Sequence, residues 1–129
     1  MSQNQLDYCL KKAKELNLDN QVKFELIDYR EVKGKYDRIF SVGMFEHVGR
    51  KFYNTFFKSM NKLLKDDGIF LLHTIGVVDK PTAPNKFIQK YIFPGSCIPS
   101  LNAIQNSITC SGDMVVYDLS DIGQHYAKT

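Results

Sequence analysis

The chain has 129 residues, enough for one domain around a single core, and its 43% apolar and 24% charged residues exclude a disordered polypeptide. A net charge of +3 is too small to argue for a nucleic-acid partner, although a mild basic bias favours contact with an anionic bilayer. The cysteines, Cys9, Cys97 and Cys110, are odd in number and widely spaced, which excludes a disulfide framework or a C-x-x-C zinc site and fits reduced cytosolic thiols; no run of ~18 apolar residues spans a membrane, and Met-Ser-Gln-Asn-Gln is no signal peptide.

In chain order, Ser2 is a helix N-cap, and behind it Leu6, Cys9, Leu10, Ala13 and Leu16 recur at helical spacing. Leu18-Asp19-Asn20 reads as a turn, and Val22 to Ile27 as a short strand followed directly by Asp28-Tyr29-Arg30. After the turn Lys33-Gly34-Lys35, Ile39 to Val42 predicts a second short strand, broken by Gly43. The spacing of Phe52, Tyr53, Phe56, Phe57, Met60, Leu63 and Leu64 predicts a helix from about Arg50 to Lys65 with a wide buried face, ended by Asp66-Asp67-Gly68. Ile69 to Ile75 has the length and apolarity of a buried parallel strand. Beyond it come a loop with Pro81 and Pro84, a short helix from Asn85 to Ile92 ended by Pro94-Gly95, a helix capped by Ser100 running to about Ile108, and a last strand from Asp113 to Leu119. Strands alternating with helices argue for an α/β sheet built from crossover units, in one domain spanning 1–129.

Ligands of open parallel sheets bind beyond the carboxyl ends of the strands. Three such ends carry polar clusters here: Asp28-Tyr29, Gly43 to Gly49, and His73 to Gly76, so all three are expected on one rim. Asp28 is either a turn residue or an acceptor for a ribose or an adenine amine. Glu46-His47 is either a helix-start carboxylate with its neighbour or a proton-handling pair. His73 is either a satisfied core histidine or a donor to a bound anion. His47 and His73 lack metal-ligand spacing, and there is no nucleophile elbow or phosphate loop. Phe87, Tyr91 and Phe93 flank loops and could line an acyl pocket.

The stretch YDRIFSVGMFEHVG (Tyr36 to Gly49) resembles the central motif of the cyclopropane-fatty-acyl-phospholipid synthase family, which includes the mycolic-acid cyclopropane synthases. The resemblance continues through Tyr53 and Phe57, KDDGIFLLHTIG (Lys65 to Gly76), KYIFPGSCIPS (Lys90 to Ser100) and HYAKT (His125 to Thr129), nearly the whole chain. It implies a Rossmann-like class I methyltransferase fold dependent on S-adenosylmethionine, and a cis double bond of an unsaturated phospholipid acyl chain as substrate, met at the cytoplasmic face of the membrane. The alkene attacks the sulfonium methyl, and the resulting cation loses a proton and closes the ring, with bicarbonate as the base. By match to the family's motifs, Glu46, His73, Tyr126 and the backbone of Ile75 hold that ion. Gln5, Asp28, Tyr29, Val42 and Gly43 match cofactor positions: Asp28 and Tyr29 on the adenine side, Val42 and Gly43 beside the methionine moiety.

The family's glycine-rich loop, E/D-x-G-x-G-x-G, occurs nowhere among the eight glycines, and none of Cys9, Cys97 or Cys110 matches the family's bicarbonate-side cysteine. The expected fold is therefore incomplete, with its first two strands and that loop lying upstream of Ser2. Those strands sit between the third and fourth, so Val22–Ile27 and Ile39–Val42 are expected either to pair directly or to leave open edges that invite self-association or a partner chain. Two alternatives stand beside cyclopropane synthesis: a methyltransferase of the same fold acting on another lipid or small molecule, and a non-catalytic, partner-completed module.

Overall fold

The computed structural model describes residues 2–77, 86, 87, 90, 91, 94, 95, 97–126 and 128. They form two compact units, residues 1–33 and 34–129.

The first unit is built on helix α1, Gln3–Glu15. Its start follows from a capping box: the Ser2 hydroxyl accepts from the Gln5 amide, and the Gln5 side chain accepts from the Ser2 amide at 2.8 Å. Its end is marked by Asn17 at φ 55°, with the Leu18 amide donating back to the Ala13 carbonyl at 2.8 Å. The strand expected over 22–27 does not form; this stretch is irregular, and Val22, Leu26 and Ile27 are exposed. β-propensity describes a side chain's fit to a pleated surface, and a strand exists only where a ladder satisfies its backbone.

The second unit is a β–α–β crossover with further helices: strand β1, Tyr36–Val42; helix α2, Tyr53–Leu63; strand β2, Leu64–His73; helix α3, Leu101–Thr109; and helix α4, Gly123–Tyr126. β1 and β2 pair in parallel, with Arg38 to Val42 in one-to-one register with Ile69 to His73 and a register break between Tyr36 and Arg38. The break accommodates Asp66-Asp67-Gly68, which belongs to β2 instead of forming the expected helix-ending turn. The helix stops earlier, at Leu63, because Leu64 is already extended (ψ 142°). Lys65 bridges the break, its Nζ reaching both carboxylate oxygens of Asp37 at 2.8 and 3.0 Å.

Alternation splits the sheet into unlike faces. Ile39, Ser41, Phe70 and Leu72 are half-buried, and Phe70 meets Phe56 and Phe57 of α2 at ring distances of 5.9 and 6.3 Å. On the other face Phe40, Val42, Ile69 and Leu71 remain exposed, Phe40 at 77%. The core is aromatic: Phe45, Tyr53, Phe56 and Phe57 are buried almost completely. α3 begins where expected, with the Ser100 hydroxyl accepting from the Ala103 amide at 3.2 Å. Residues 114–122 are irregular, so the last strand also does not form, and Tyr117 is 98% exposed. Of the helix expected over 85–92, residues 85, 88, 89 and 92 lie outside the described residues, and Lys86 and Phe87 are helical.

Candidate functional site

The site grows out of the carboxyl end of the β1–β2 pair. The Gly43 amide donates to the His73 carbonyl at 3.1 Å, continuing the ladder past β1, and the chain then leaves the sheet at Gly43 with φ 64°. No atom would obstruct a Cβ there, so the glycine answers to backbone conformation alone. The 3-10 turn Phe45–His47 follows. Phe45 drives this turn against α2, its ring 4.4 Å from Tyr53, 5.0 Å from Phe56 and 5.4 Å from Phe57. Burying Phe45 carries its neighbour Glu46 inward, to 7% exposure.

The Glu46 carboxyl is tied at one oxygen and bare at the other. Its Oε1 accepts from the Ile75 amide at 2.6 Å, just beyond β2, so one side chain joins the ends of both strands. Its Oε2 is buried and has no hydrogen-bond partner among the described residues. A carboxyl oxygen taken out of water without a donor costs free energy, so the position suits a ligand that brings one. The backbone of the same turn is clamped from a third direction. The Glu46 carbonyl accepts from the Cys97 amide at 2.8 Å, and the Cys97 carbonyl accepts from the Tyr53 hydroxyl at 3.3 Å. Burial pushes the Tyr53 phenol well above its ordinary range, which keeps it an O–H donor. Residues 97–101 reach the strand ends because Val77 and Ser100 form a parallel bridge, with Val77 donating to Pro99 and Leu101 to Val77, each at 3.0 Å.

The expected site residues fall as follows. Glu46 and Ile75, whose backbone was expected beside the anion, come together, with the Ile75 amide donating to Glu46. His73 ends β2 opposite Val42, exposed at the same rim, and Val42 and Gly43 are exposed beside it. Tyr126 ends α4, and its side chain lies outside what is described. The remaining three belong to the first unit. The Gln5 side-chain oxygen caps α1. Asp28 and Tyr29 follow no strand; they open a turn in which the Glu31 amide donates to the Asp28 carbonyl at 2.9 Å. The Asp28 carboxylate accepts from the Arg30 amide and Nε, both at 2.9 Å, and from Nη2 at 2.6 Å, which lowers its pKa to about 2. Tyr29 is half-buried, and desolvation raises its phenol.

The sequence did not single out Arg30 or the Tyr53–Cys97 clamp. Tyr53 reads there as an apolar residue of a helix and a position of the family resemblance, with no partner assigned, and Cys97 acts through its backbone, which carries no residue-type signal. Among the described residues no group of three or more His, Cys, Asp or Glu could hold a metal ion.

A family model described as mycolic acid cyclopropane synthetase matches residues 1–129. The cyclopropane-fatty-acyl-phospholipid synthase of Escherichia coli (strain K12) is 45% identical over 104 residues, covering 81% of this chain and 27% of that protein. A probable fatty acid methyltransferase of Pseudomonas putida is 31% identical over 136 residues, covering 100% of this chain and 34% of its own length. Among solved structures, the cyclopropane synthase MmaA2 from Mycobacterium tuberculosis superposes with a TM-score of 0.80 at 26% identity, over 98% of this chain and 49% of that one. The mycolic acid cyclopropane synthase CmaA1, complexed with SAH and CTAB, superposes with a TM-score of 0.79 at 29% identity, over the same shares. The chain thus spans about a quarter to a third of these curated relatives and half of the solved ones. With an α/β framework of methyltransferase type and a family match along its whole length, the chain belongs to the mycolic acid cyclopropane synthetase family.

Proposed function

We propose that this chain carries the proton-removing side of an S-adenosylmethionine-dependent enzyme that converts a cis double bond of an unsaturated phospholipid acyl chain into a cyclopropane. The observation that carries this reading is Glu46: a buried carboxyl held at Oε1 by the Ile75 amide, with no donor to Oε2 among the described residues. Bicarbonate fits that position, because its hydroxyl is a donor for Oε2 and its remaining oxygens accept from imidazole and phenol groups of the kind His73 and Tyr126 provide. When bound, S-adenosylmethionine supplies an electrophilic methyl group and bicarbonate supplies a base.

The chain's own residues do the rest. Glu46 orients the anion through Oε2 and stays fixed because Ile75 and the Cys97–Tyr53 clamp hold its turn from two sides. His73 and Tyr126 donate hydrogen bonds to the anion. The Phe45–Tyr53–Phe56–Phe57 cluster under the turn keeps water from that side, which matters because water would trap a carbocation as an alcohol. Asp28, Tyr29, Val42 and Gly43 supply cofactor contacts, with Asp28 an acceptor on the adenine side.

Phe87 and Tyr91, exposed with rings 5.2 Å apart and with Lys90 over the Tyr91 ring, are the aromatic and basic types that meet lipid headgroups, and support peripheral contact with the cytoplasmic face of a membrane. No helix among the described residues is long and apolar enough to cross one.

The test is transfer of labelled methyl from S-adenosylmethionine to vesicles of unsaturated phospholipid. Glu46→Gln should bind S-adenosylhomocysteine as the parent does but lose turnover by roughly 10²- to 10³-fold, the scale of one lost proton-handling or charge-orienting group. Unchanged turnover would remove Glu46 from the mechanism.

The exposed apolar face of the sheet favours a second reading for the chain by itself, a module completed by self-association or by a partner chain. Failure to bind S-adenosylhomocysteine, in a chain that circular dichroism shows to be folded, would favour it.

A further inference from the structure

The Asp28 carboxylate is nearly saturated by its own turn. A carboxylate offers about four lone-pair directions, two on each oxygen. Oδ1 takes the Arg30 amide and Arg30 Nε, each at 2.9 Å, and Oδ2 takes Nη2 at 2.6 Å. One acceptor direction remains, on Oδ2. Two backbone amides fix the turn, Arg30 donating to the side-chain Oδ1 and Glu31 to the Asp28 carbonyl, and the guanidinium fork fixes the carboxylate plane within it. Without the fork the carboxylate would be freer about χ2, a broad torsion, and would offer acceptors on both oxygens. A vicinal diol is best met by two free oxygens, whereas an exocyclic ring amine needs one acceptor.

We propose that Arg30 is a positioning residue: it leaves Asp28 a single acceptor, Oδ2, and thereby makes this turn select one N–H of a ring amine over a ribose diol. The inference rests on the reading above that Asp28 faces the cofactor, and adds to it the residue that decides which part of the cofactor Asp28 can read.

The experiment is calorimetric titration of the full chain with S-adenosylhomocysteine and with its deaminated counterpart, in which an exocyclic carbonyl oxygen replaces the amine; circular dichroism verifies the fold of each variant. The parent chain should prefer the amine by about 10- to 100-fold, the range of a hydrogen bond to a charged group. Arg30→Met should reduce that preference to a few-fold while leaving affinity for the deaminated compound in place. Arg30→Lys, which keeps the charge but loses the fork, should fall between them. In an Asp28→Asn background, adding Arg30→Met should change nothing further. If Arg30→Met keeps the preference, or weakens both ligands equally, Arg30 has no positioning role. If the parent binds neither ligand, or Asp28→Asn leaves both affinities unchanged, the cofactor reading of Asp28 fails, and this inference fails with it.

Discussion

At the scale of single residues, two carboxylates show how environment assigns roles. The Glu46 carboxyl is buried with, among the described residues, one partner and one bare oxygen, whereas Asp28 is exposed and crowded by donors. The Asp28 pair makes a pH prediction whose sign is definite. Hydrogen bonding to Arg30 lowers the folded pKa from 3.8 to about 2, so the pair's contribution is fully present above 3.8 and is lost as pH falls through about 2. A carbon-detected NMR titration should show the Asp28 carboxyl protonating near pH 2, and Arg30→Met should return the midpoint toward 3.8. A parent midpoint already at 3.8 would mean the fork is not populated in solution. Both partners are solvent-exposed, so the pair organises a turn more than it stabilises the chain.

At the scale of elements, the turn that carries Glu46 depends on α2. Phe45→Ala removes a ring that touches Tyr53, Phe56 and Phe57, and should cost about 3–5 kcal/mol, a large share of a small domain's total. Tyr53→Phe keeps the stack and removes only the bond to the Cys97 carbonyl, so it should cost about 1 kcal/mol. Urea denaturation separates the two; equal losses would show that the clamp, not the packing, holds the turn. Much of this level is legible from the sequence. Ser2 and Ser100 cap helices because a hydroxyl can satisfy orphan amides within its own next turn. The aromatic spacing of α2 and the apolar run of β2 are likewise local signals. Residues 22–27 and 113–119 carry equally good strand composition and form no strand, because composition cannot say whether a ladder partner stands alongside.

At the scale of the whole molecule, the parallel pair β1–β2 packs one face on α2 and exposes the other. Parallel sheets are ordinarily covered on both faces, so Phe40 and Leu71, paired in register at 77% and 55% exposure, mark a surface that favours association. Replacing both with serine should lower the weight-average mass in sedimentation equilibrium and change stability by only about 0.5 kcal/mol or less, since neither side chain is buried. An unchanged mass would locate any association elsewhere.

The sequence by itself determined what depends on neighbours along the chain: the capped helices, the two apolar strands that pair, the glycine that turns the chain off β1, and the motifs that mark the family. Only the tertiary structure decided which oxygen of Glu46 is tied and which is bare. Residues 46 and 75 meet because two strands pair in parallel across a helix, and residues 46 and 97 meet because a later loop bridges onto the end of β2. Even Arg30, two positions from Asp28, becomes part of the reading only once side-chain torsions close a fork over a carboxylate. Residue identity specifies which bonds a side chain can make; the folded geometry selects which of them are made and which acceptors remain for a ligand.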